Sequence, residues 1–308
     1  MITAAALSPS LDVTYVVEEL TGIQRPLEVH RVAGGKALNA ARAAALLGSS
    51  VAAVAVLGGG TGAVVADLAR ADGLDLRVVD GGELTRTCVS VHARSDDRLT
   101  EIYEHATPVS APVFDAFLDA LAALLVDRPG WCLVSGGSPA SLGPDALRDL
   151  HASLPPGTRL AVDSHGPALR ALLRDASPAL LKVNRAEACE ALDAAATTPL
   201  AELVVRLHER TGAPVVVTDG LAGLVATDGV RTRHASLPGV VGQFPVGSGD
   251  SLLGALVQAL DEGLDLDDAL RRATAAGAAN ALLPGAARFD PATVARLTDA
   301  VIVTDGSG

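Results

Sequence analysis

Short apolar runs alternate with helical segments along most of this 308-residue chain, and this alternation restricts the possible folds more than any other feature. Six runs have the composition and length of buried strands: ITAAAL, VAAVAVL, WCLVSG, RLAVDS, ALLKVN and PVVVTDG. Helical patterns lie between them, at 36–47, 61–72, 111–127, 144–152, 166–175, 199–211 and 250–261. This order predicts an α/β fold, with a doubly wound, mostly parallel sheet flanked by helices.

Two segments, 11–33 and 85–105, do not follow this order. They read as strands of mixed polarity, and TRTCVSVHARSDDRLTEIYEH alternates over much of its length. We expect them to form a small second β-sheet that stands off the main sheet as a lid or a dimer surface. Because no linker, repeat or low-complexity tract divides the chain, we expect a single domain over residues 1–308.

Charge and composition argue against several classes of partner. The net charge is −12, whereas nucleic acids and anionic membranes are bound mainly through clustered Lys and Arg. The N-terminal stretch lacks a basic leader, and Gly and Ser interrupt the most apolar window before it could span a bilayer. Cys88, Cys132 and Cys189 have neither a disulfide nor a zinc spacing. We therefore expect a cytoplasmic protein with small-molecule ligands, without nucleic acid or membrane partners.

Lysine is unusually scarce in this chain. There are 22 arginines but only two lysines, Lys36 and Lys182, and only three asparagines, Asn39, Asn184 and Asn280. Two of the asparagines lie within three residues of a lysine. An ammonium is a compact charge on a flexible stem, whereas a guanidinium is a planar fork, so the two are not interchangeable in a binding site. This placement favours functional roles for both lysines, and chance retention is the alternative.

The segment FPVGSGDSLLGALVQAL, at 244–260, carries the strongest functional signal. A Gly-Ser-Gly turn precedes a predicted helix, whose first N–H groups are free to bind an anion. Asp250, in the first turn, would accept the proton of an attacking hydroxyl at a phosphoryl-transfer site. The structural alternative is that Ser248 or Asp250 only caps the helix.

Two further segments follow predicted strands at the edge where doubly wound sheets bind ligands. KVNRAE, at 182–187, is either a capping box of Asn184 and Glu187 or a site where Glu187 meets hydrated Mg²⁺ and Lys182 a nucleotide. VVVTDGLAG, at 215–223, either wraps a nucleotide or only turns the chain. Aromatic residues make up 2% of the chain, so we expect aliphatic side chains to clamp any base. LGGGTG lacks the GxGxxG spacing, which disfavours a dinucleotide cofactor.

In this order the segments resemble the ribokinase-like (PfkB) family of carbohydrate kinases over almost the whole chain. AGGKALNAARAAALLG is similar to the first family signature, and PVGSGDSLLGALV to the second, which carries the catalytic aspartate. LSPSLDVTY, VSGGSPASL, AVDSHGPAL, KVNRAE and VVVTDGLAG match intermediate elements. The likeness is strongest to the phosphosugar branch, which contains 1-phosphofructokinase, tagatose-6-phosphate kinase and the minor 6-phosphofructokinase. It implies a ribokinase-like fold with a β-sheet lid, and transfer of the ATP γ-phosphoryl to fructose 1-phosphate, tagatose 6-phosphate or fructose 6-phosphate.

The resemblance also implies residue roles. Asp250 would be the catalytic base. The anion hole would comprise Gly247, Ser248 and Gly249. Substrate would be bound by Asp12, Arg25, Gly34, Gly35, Lys36, Asn39, Arg86, Cys88, Glu101, Ser135 and Gly136. ATP would be bound by Lys182, Asn184, Thr218, Gly220, Gly223, Gly247, Gly249 and Asn280, and the metal by Asn184 and Glu187. In the phosphosugar branch the signature lysine, here Lys36, meets the substrate's own phosphate, with Arg86 and Arg25 as further ligands.

The implied cofactors are ATP and Mg²⁺, with K⁺ as a further candidate, and the implied assembly is a homodimer through the lid. The positions that depart from the usual family pattern are Ser8, Ala37, His165, Val183 and Phe244. None of them removes a proposed catalytic group, and we interpret His165 as a loop histidine. Two alternatives stay open: a kinase for an unphosphorylated sugar or nucleoside, and a catalytically silent nucleotide- or sugar-binding regulator of the same fold.

Overall fold

The computed structural model describes residues 1–306, which form two β-sheets and ten α-helices. The strands are β1 (Ile2–Ala6), β2 (Ser10–Val17), β3 (Glu28–Gly34), β4 (Val51–Leu57), β5 (Asp75–Asp80), β6 (Thr87–Ala93), β7 (Arg98–Tyr103), β8 (Trp131–Ser135), β9 (Arg159–Asp163), β10 (Leu180–Asn184), β11 (Val215–Thr218), β12 (Leu224–Thr227), β13 (Thr232–Ser236) and β14 (Ile302–Asp305). The helices are α1 (Lys36–Leu46), α2 (Gly59–Ala71), α3 (Ala111–Asp127), α4 (Ala146–Ser153), α5 (Gly166–Asp175), α6 (Arg185–Leu192), α7 (Leu200–Thr211), α8 (Ser248–Asp261), α9 (Leu266–Ala281) and α10 (Pro291–Thr298).

The main sheet has ten strands in the order β14-β13-β12-β11-β10-β9-β8-β1-β4-β5. Neighbouring strands from β11 to β5 are parallel, and β12, β13 and β14 extend this sheet antiparallel at one edge. One apolar core lies under α1, α2, α8, α9 and α10, and a second lies under α3 to α7 on the opposite face. Since both faces are covered, the inner parallel strands are mostly apolar, whereas the edge strand β5, DLRVVD, is largely exposed. The predicted fold class is confirmed.

α1 and α8 pack closely against each other, and this contact positions two polar residues of the site. A Cβ atom on Gly254 of α8 would lie 2.2 Å from the Ala40 carbonyl oxygen of α1, so only glycine allows this approach. Five of the eight buried residues of α1 are alanines. The approach brings Asn39 of α1 within hydrogen-bonding distance of Asp250 of α8.

The second sheet has four strands in the order β3-β2-β6-β7, and we call it the lid sheet. β2 and β6 pair in parallel, and the outer pairs, β2 with β3 and β6 with β7, are antiparallel. Its strands come from the two segments, 11–33 and 85–105, that were predicted to form a separate small sheet. No helix in the described part of the chain is long and apolar enough to cross a membrane.

Candidate active site

A cleft of about 850 Å³ lies between the lid sheet and the carboxyl ends of the parallel strands. Ser135, Asp163, Asn184 and Thr218 line it from the ends of four neighbouring strands, β8, β9, β10 and β11. This is the edge at which doubly wound sheets bind ligands. The predicted site residues that line the cleft are Asp12, Gly35, Lys36, Asn39, Arg86, Cys88, Glu101, Ser135, Gly136, Lys182, Asn184, Thr218, Gly220, Gly247, Ser248, Gly249 and Asp250.

Asp250 lies buried in the first turn of α8, and its carboxylate does not cap the helix. The N-terminal flanking residue of α8 is Gly247, at φ 83°, and no side chain caps this end, so the capping alternative is wrong. A Cβ atom on Gly247 would lie 2.7 Å from Ala286 Cβ, which requires glycine there. Asp250 Oδ2 instead accepts a hydrogen bond from Asn39 Nδ2 at 2.9 Å. Burial raises the pKa of Asp250 to about 6.

The backbone amides at the start of α8 form a candidate anion site. The first N–H groups of a helix have no acceptor within the helix. The Ser248 N–H donates to the Pro245 carbonyl oxygen at 3.0 Å, so this amide already has an acceptor. Gly249 and Asp250 follow it in the first turn and line the cleft. The amides best placed for an anion are therefore those of Gly249 and Asp250, with the Ser248 hydroxyl beside them.

Both lysines of the chain lie on the main-sheet side of the cleft, among carboxylates. Lys182 Nζ donates to Asp163 Oδ2 at 2.7 Å and is buried. Lys36 Nζ lies 3.3 Å from Glu187 Oε1 and 4.0 Å from Asp163 Oδ1. The neighbouring carboxylates, Asp163 first and then Glu187 and Asp250, raise the pKa of Lys36, so it remains an ammonium. Lys36 thus carries a positive charge near Asp250, and Lys182 lies beside the same carboxylate, Asp163.

Asn184 and Glu187 form the capping box that the sequence suggested as the structural alternative. Asn184 Oδ1 accepts from the Glu187 N–H at 2.9 Å, and Glu187 Oε2 accepts from the Asn184 N–H at 2.8 Å. This box fixes the start of α6 at the end of β10. It also holds the remaining Glu187 oxygen, Oε1, beside Lys36.

The donor set fits a hydrated divalent cation that is shared with phosphate oxygens. Residues 1–306 contain no group of three or more His, Cys, Asp or Glu side chains that could hold a metal ion by themselves. Among these residues, Asp163 Oδ1 is buried and has no hydrogen-bond partner, and it lies near the same ammonium as Glu187. Mg²⁺ commonly uses one or two carboxylates together with water and substrate phosphates. Glu187, Asn184 and Asp163 meet that requirement.

The lid wall of the cleft carries a different set of polar groups. Asp12 Oδ1 accepts from Ser10 Oγ at 2.5 Å, and burial raises the pKa of Asp12. Arg86 donates to the Glu104 and Ser8 carbonyl oxygens at 3.1 and 3.3 Å. Within the described chain its Nε is buried without a partner. The lid wall therefore offers an arginine and a carboxylate to a ligand.

A smaller pocket of about 250 Å³ adjoins the cleft through Thr218, Gly220 and Gly249. Its apolar lining comes from Leu221, Leu224, Leu237, Val240 and Leu252, among others, and includes no aromatic ring from residues 1–306. Gly223 lies in this pocket and not in the main cleft. The pocket fits the aliphatic clamp predicted for a nucleotide base.

Comparison with known proteins agrees with this geometry. The family model described as "pfkB family carbohydrate kinase" matches residues 8–293. The chain belongs to this family. The 1-phosphofructokinase of Borreliella burgdorferi is 28% identical over 287 residues, covering 92% of each chain. The ATP-dependent 6-phosphofructokinase isozyme 2 of Escherichia coli is 30% identical over 293 residues, covering 92% of this chain and 93% of the relative. Phosphofructokinase-2 of E. coli, solved with potassium, superposes with a TM-score of 0.89 at 26% identity, over 97% and 98% of the chains.

Membership of the pfkB family makes the chain a phosphotransferase with an alcohol group as acceptor. The cleft lining contains most of the residues that the resemblance implied. Of the others, Glu187 lies beside Lys36 and Gly223 lies in the smaller pocket, whereas Arg25, Gly34 and Asn280 are placed elsewhere. Arg25 is exposed in the loop between β2 and β3 and does not line the cleft, so it does not join Lys36 and Arg86 in one basic cluster. Gly34 also lies outside the lining, where a Cβ atom would fall 2.0 Å from Asp12 Cγ. Gly34 therefore makes room for Asp12.

Asn280 is the third of these residues, and the prediction that it contacts ATP does not fit its placement. Its side chain is fully buried in α9. Nδ2 donates to the Val246 carbonyl oxygen at 2.9 Å and to Ser248 Oγ at 3.1 Å, and Oδ1 accepts from the Ala287 N–H. The amide thus holds the turn before α8, because its polar atoms are used within the protein.

Sequence reasoning missed Asp163, although AVDSHGPAL was recognised as a family element. The signal was a carboxylate that directly follows the buried run LAV at a predicted strand end. His165, the residue directly before α5, also lines the cleft. Its Nδ1 lies 3.9 Å from Glu187 Oε1, so this histidine is a neighbour of the candidate metal ligands. Phe244 packs edge-on against His92 of the lid sheet at 4.9 Å between ring centroids. Ala37 and Val183 are buried.

Proposed function

We propose that this chain is an ATP- and Mg²⁺-dependent kinase that transfers the γ-phosphoryl group to a hydroxyl of a phosphorylated ketohexose, giving a bisphosphate. One observation carries the proposal: a single cleft holds the buried Asp250 at a helix start and, on the opposite wall, Arg86 with unused hydrogen-bonding capacity. The names of the two relatives, 1-phosphofructokinase and 6-phosphofructokinase, support this class of acceptor. Fructose 1-phosphate, fructose 6-phosphate and tagatose 6-phosphate are the candidates.

Asp250 is the general base of the proposed reaction. Its carboxylate takes the proton from the acceptor hydroxyl as that oxygen attacks the γ-phosphorus in line. A base with a pKa of about 6 is ionised at neutral pH and still accepts a proton readily. The amides of Gly249 and Asp250 stabilise the charge on the equatorial oxygens of the transferred group.

The acceptor lies between this base and the lid wall. Asp12, oriented by Ser10, accepts hydrogen bonds from sugar hydroxyls, with Gly35, Asn39, Ser135 and Gly136 forming the floor. Arg86 binds the phosphate that the substrate already carries, since a guanidinium matches phosphate geometry. Cys88 and Glu101 of the lid sheet complete this wall. Lys36 lies beside Glu187 and Asp163 and serves as a phosphate ligand between acceptor and nucleotide.

The nucleotide occupies the side of the cleft beyond α8. Its base fits the aliphatic pocket that contains Gly223 and adjoins Thr218 and Gly220. Lys182 lies beside the first turn of α8, where its Nζ would be 3.0 Å from a Cβ atom on Gly249. Glu187, Asn184 and Asp163 would hold a hydrated Mg²⁺, which neutralises phosphate charge when it is bound.

The lid sheet provides the surface for the proposed homodimer. Ile23 and Leu27, in the loop between β2 and β3, are exposed at 100% and 52%, and Ile102 of β7 is exposed at 64%. Burying such residues stabilises an interface by about 25 cal/mol per Å² of apolar surface.

The three unpaired, buried cysteines support a cytoplasmic location, where thiols stay reduced. Because the E. coli neighbour was solved in complex with potassium, K⁺ stays a candidate cofactor. Kinase assays with and without K⁺ test this candidate.

The testing experiment measures ADP release from Mg·ATP with a panel of acceptors: fructose 1-phosphate, fructose 6-phosphate, tagatose 6-phosphate, fructose, ribose and adenosine. Selective turnover of one phosphosugar supports the proposal and identifies the substrate. Turnover of neutral acceptors alone would leave the role of Asp250 in place and contradict the assignment of Arg86. Binding of ATP without turnover of any acceptor would favour the regulator alternative.

A further inference from the structure

A fully buried arginine lies behind the proposed base. Arg42, in α1, has 0% exposure, although proteins rarely bury a guanidinium completely unless it is paired. Its Nε donates to Asp72 Oδ2 at 2.7 Å, and its Nη1 to Asn39 Oδ1 at 3.1 Å and to the Ala286 carbonyl oxygen at 3.0 Å. Its Nη2 donates to the Ala33 carbonyl oxygen. Arg42 thus joins α1, the end of α2, β3 and the segment after α9.

The amide of Asn39 lies between this guanidinium and the base. Its Oδ1 accepts from Arg42, and its Nδ2 donates to Asp250 Oδ2 at 2.9 Å. A guanidinium has donors only, and an ionised carboxylate has acceptors only. Turning the Asn39 amide around would therefore place an N–H against Arg42 and a carbonyl oxygen against Asp250. Arg42 determines that a donor faces the base.

We propose that Arg42 is a positioning residue for Asp250: through Asn39 it holds a hydrogen-bond donor on the carboxylate and keeps that group ionised and oriented for proton transfer. The proposal rests on the proposed function only in taking Asp250 as the general base. A hydrogen bond donated to the ionised form of a carboxylate favours that form. Loss of Arg42 frees Asn39 to rotate and removes this preference.

Several other groups act on Asp250 directly. Burial has the largest effect and raises its pKa to about 6, and Asp163 raises it as well. Lys36, Asn39 and Lys182 lower the pKa. Because Lys36 and Lys182 do not contact Arg42, their effects persist when Arg42 is replaced. A change that follows replacement of Arg42 therefore does not come from these two lysines.

The surroundings of Arg42 provide a matched control. Asp72 binds Arg42 through Oδ2 and Arg288 Nη2 through Oδ1 at 2.6 Å, and Asp12 is a further charged neighbour of Arg42. Replacing Arg42 leaves Asp72 paired with Arg288, so no isolated buried charge results. Replacing Arg288 removes a salt bridge to the same carboxylate without touching Asn39. The two variants share Asp72 and differ in the contact with Asn39.

The experiment compares Arg42→Met with Arg288→Met. Two readouts are used: the acidic limb of kcat/KM against pH, and the ¹³C NMR titration of the Asp250 carboxyl carbon in the ligand-free protein, assigned with Asp250→Asn. In Arg42→Met we expect both apparent pKa values to rise by about one unit, and kcat/KM at pH 6 to fall by roughly fivefold or more. In Arg288→Met we expect neither to change.

A folded Arg42→Met protein whose Asp250 titration and acidic limb match the wild type would overturn the proposal. If Arg42→Met does not fold, Arg42→Lys is used instead, because lysine keeps the positive charge and lacks the planar guanidinium. In Arg42→Lys we expect the two apparent pKa values to rise by a smaller amount. If neither pKa value rises, the proposal is contradicted. The NMR titration needs no acceptor. If the wild type turns over no member of the acceptor panel, the proposed function fails while the link from Arg42 to Asp250 is still tested.

Discussion

The α8 wall and the lid wall of the cleft differ in how completely the protein satisfies their polar groups. The strand ends of the main sheet resemble the lid wall, because Ser135 and Asp163 carry buried oxygen atoms without a partner within residues 1–306. On the α8 wall, Asp250 is bonded to Asn39, Asn39 to Arg42, and the turn before α8 to the buried amide of Asn280. On the lid wall, the buried atoms Arg86 Nε and Ser8 Oγ have no partner within residues 1–306. Glu101 and Tyr103 of the lid sheet are exposed.

This difference indicates that the two walls have different roles in catalysis and substrate binding. A group that is already bonded and buried is oriented before the ligand binds, which is how electrostatic catalysis avoids reorganisation during the reaction. A buried donor without a partner gains one when an acceptor ligand arrives. Changes on the α8 wall should therefore lower kcat, and changes on the lid wall should raise the KM of the sugar substrate.

The largest expected effect is that of Asp250→Asn on turnover. The amide keeps the shape and removes the base, so we expect kcat to fall by a factor of about 10³ or more, with ATP affinity little changed. ADP release measures the first quantity and calorimetric titration of ATP the second. Near-normal turnover would remove Asp250 from its role as base.

Lys36→Ala tests whether this lysine contributes mainly to kcat, like the α8 wall, or to the KM of the sugar substrate, like the lid wall. Its ammonium lies beside Glu187 and Asp163, whereas Arg86 donates to the Glu104 and Ser8 carbonyl oxygens. We therefore expect kcat to fall by about 100-fold, more than the KM of the phosphosugar rises. Steady-state kinetics with both substrates varied gives the split. A rise in phosphosugar KM with unchanged kcat would place Lys36 functionally with Arg86.

Arg86→Ala should act on the acceptor alone. Loss of a charge-assisted contact to phosphate costs about 1.5–3 kcal/mol, so we expect the KM of the phosphosugar to rise by about 10- to 100-fold. The KM of ATP should stay the same. Arg98→Ala is the matched control, since Arg98 is an exposed arginine on β7 of the same sheet and does not line the cleft. Equal rises for both substrates in Arg86→Ala would argue against a phosphate subsite on the lid wall.

The parallel strands and the helices around them were predictable because their signal is local. The six predicted strands and seven predicted helices are all present, with ends that differ by two residues or fewer. α9, α10 and β5 were not predicted. The sequence of α9, LDDALRRATAAGAANA, is rich in alanine and gives little contrast between buried and exposed positions. β12, β13 and β14 were missed because each has only four or five residues, and pairing with neighbours decides such short strands.

The residues of the site divide in a similar way. Asp250, Lys36 and Glu187 could be found in the sequence, because each lies in a segment whose spacing indicates its chemistry. Asp163 also lies at a predicted strand end, but its contact with Lys182, 19 positions away in the chain, is not visible in the sequence, and neither is the contact of Arg42 with Asp72, 30 positions away. Position in the sequence identifies groups at strand ends and helix starts, but not the partners that orient them.

Asn280→Ala is expected to have the smallest effect on the chemistry and a clear effect on stability. It leaves the Val246 carbonyl oxygen and the Ala287 N–H without the amide, at a cost of about 1–3 kcal/mol in the free energy of unfolding. Because the turn before α8 loses its hydrogen bonds to this amide, kcat should fall by only about threefold to tenfold.

Thr274→Val is the control on the same helix. It removes a buried hydroxyl that has no partner within residues 1–306 and should leave the free energy of unfolding unchanged or slightly raised. Urea unfolding of both variants measures the difference. If Asn280→Ala instead raised the KM of ATP and left stability intact, Asn280 would be a nucleotide ligand after all, and the α8 wall would be less completely oriented by the protein than its hydrogen bonds indicate.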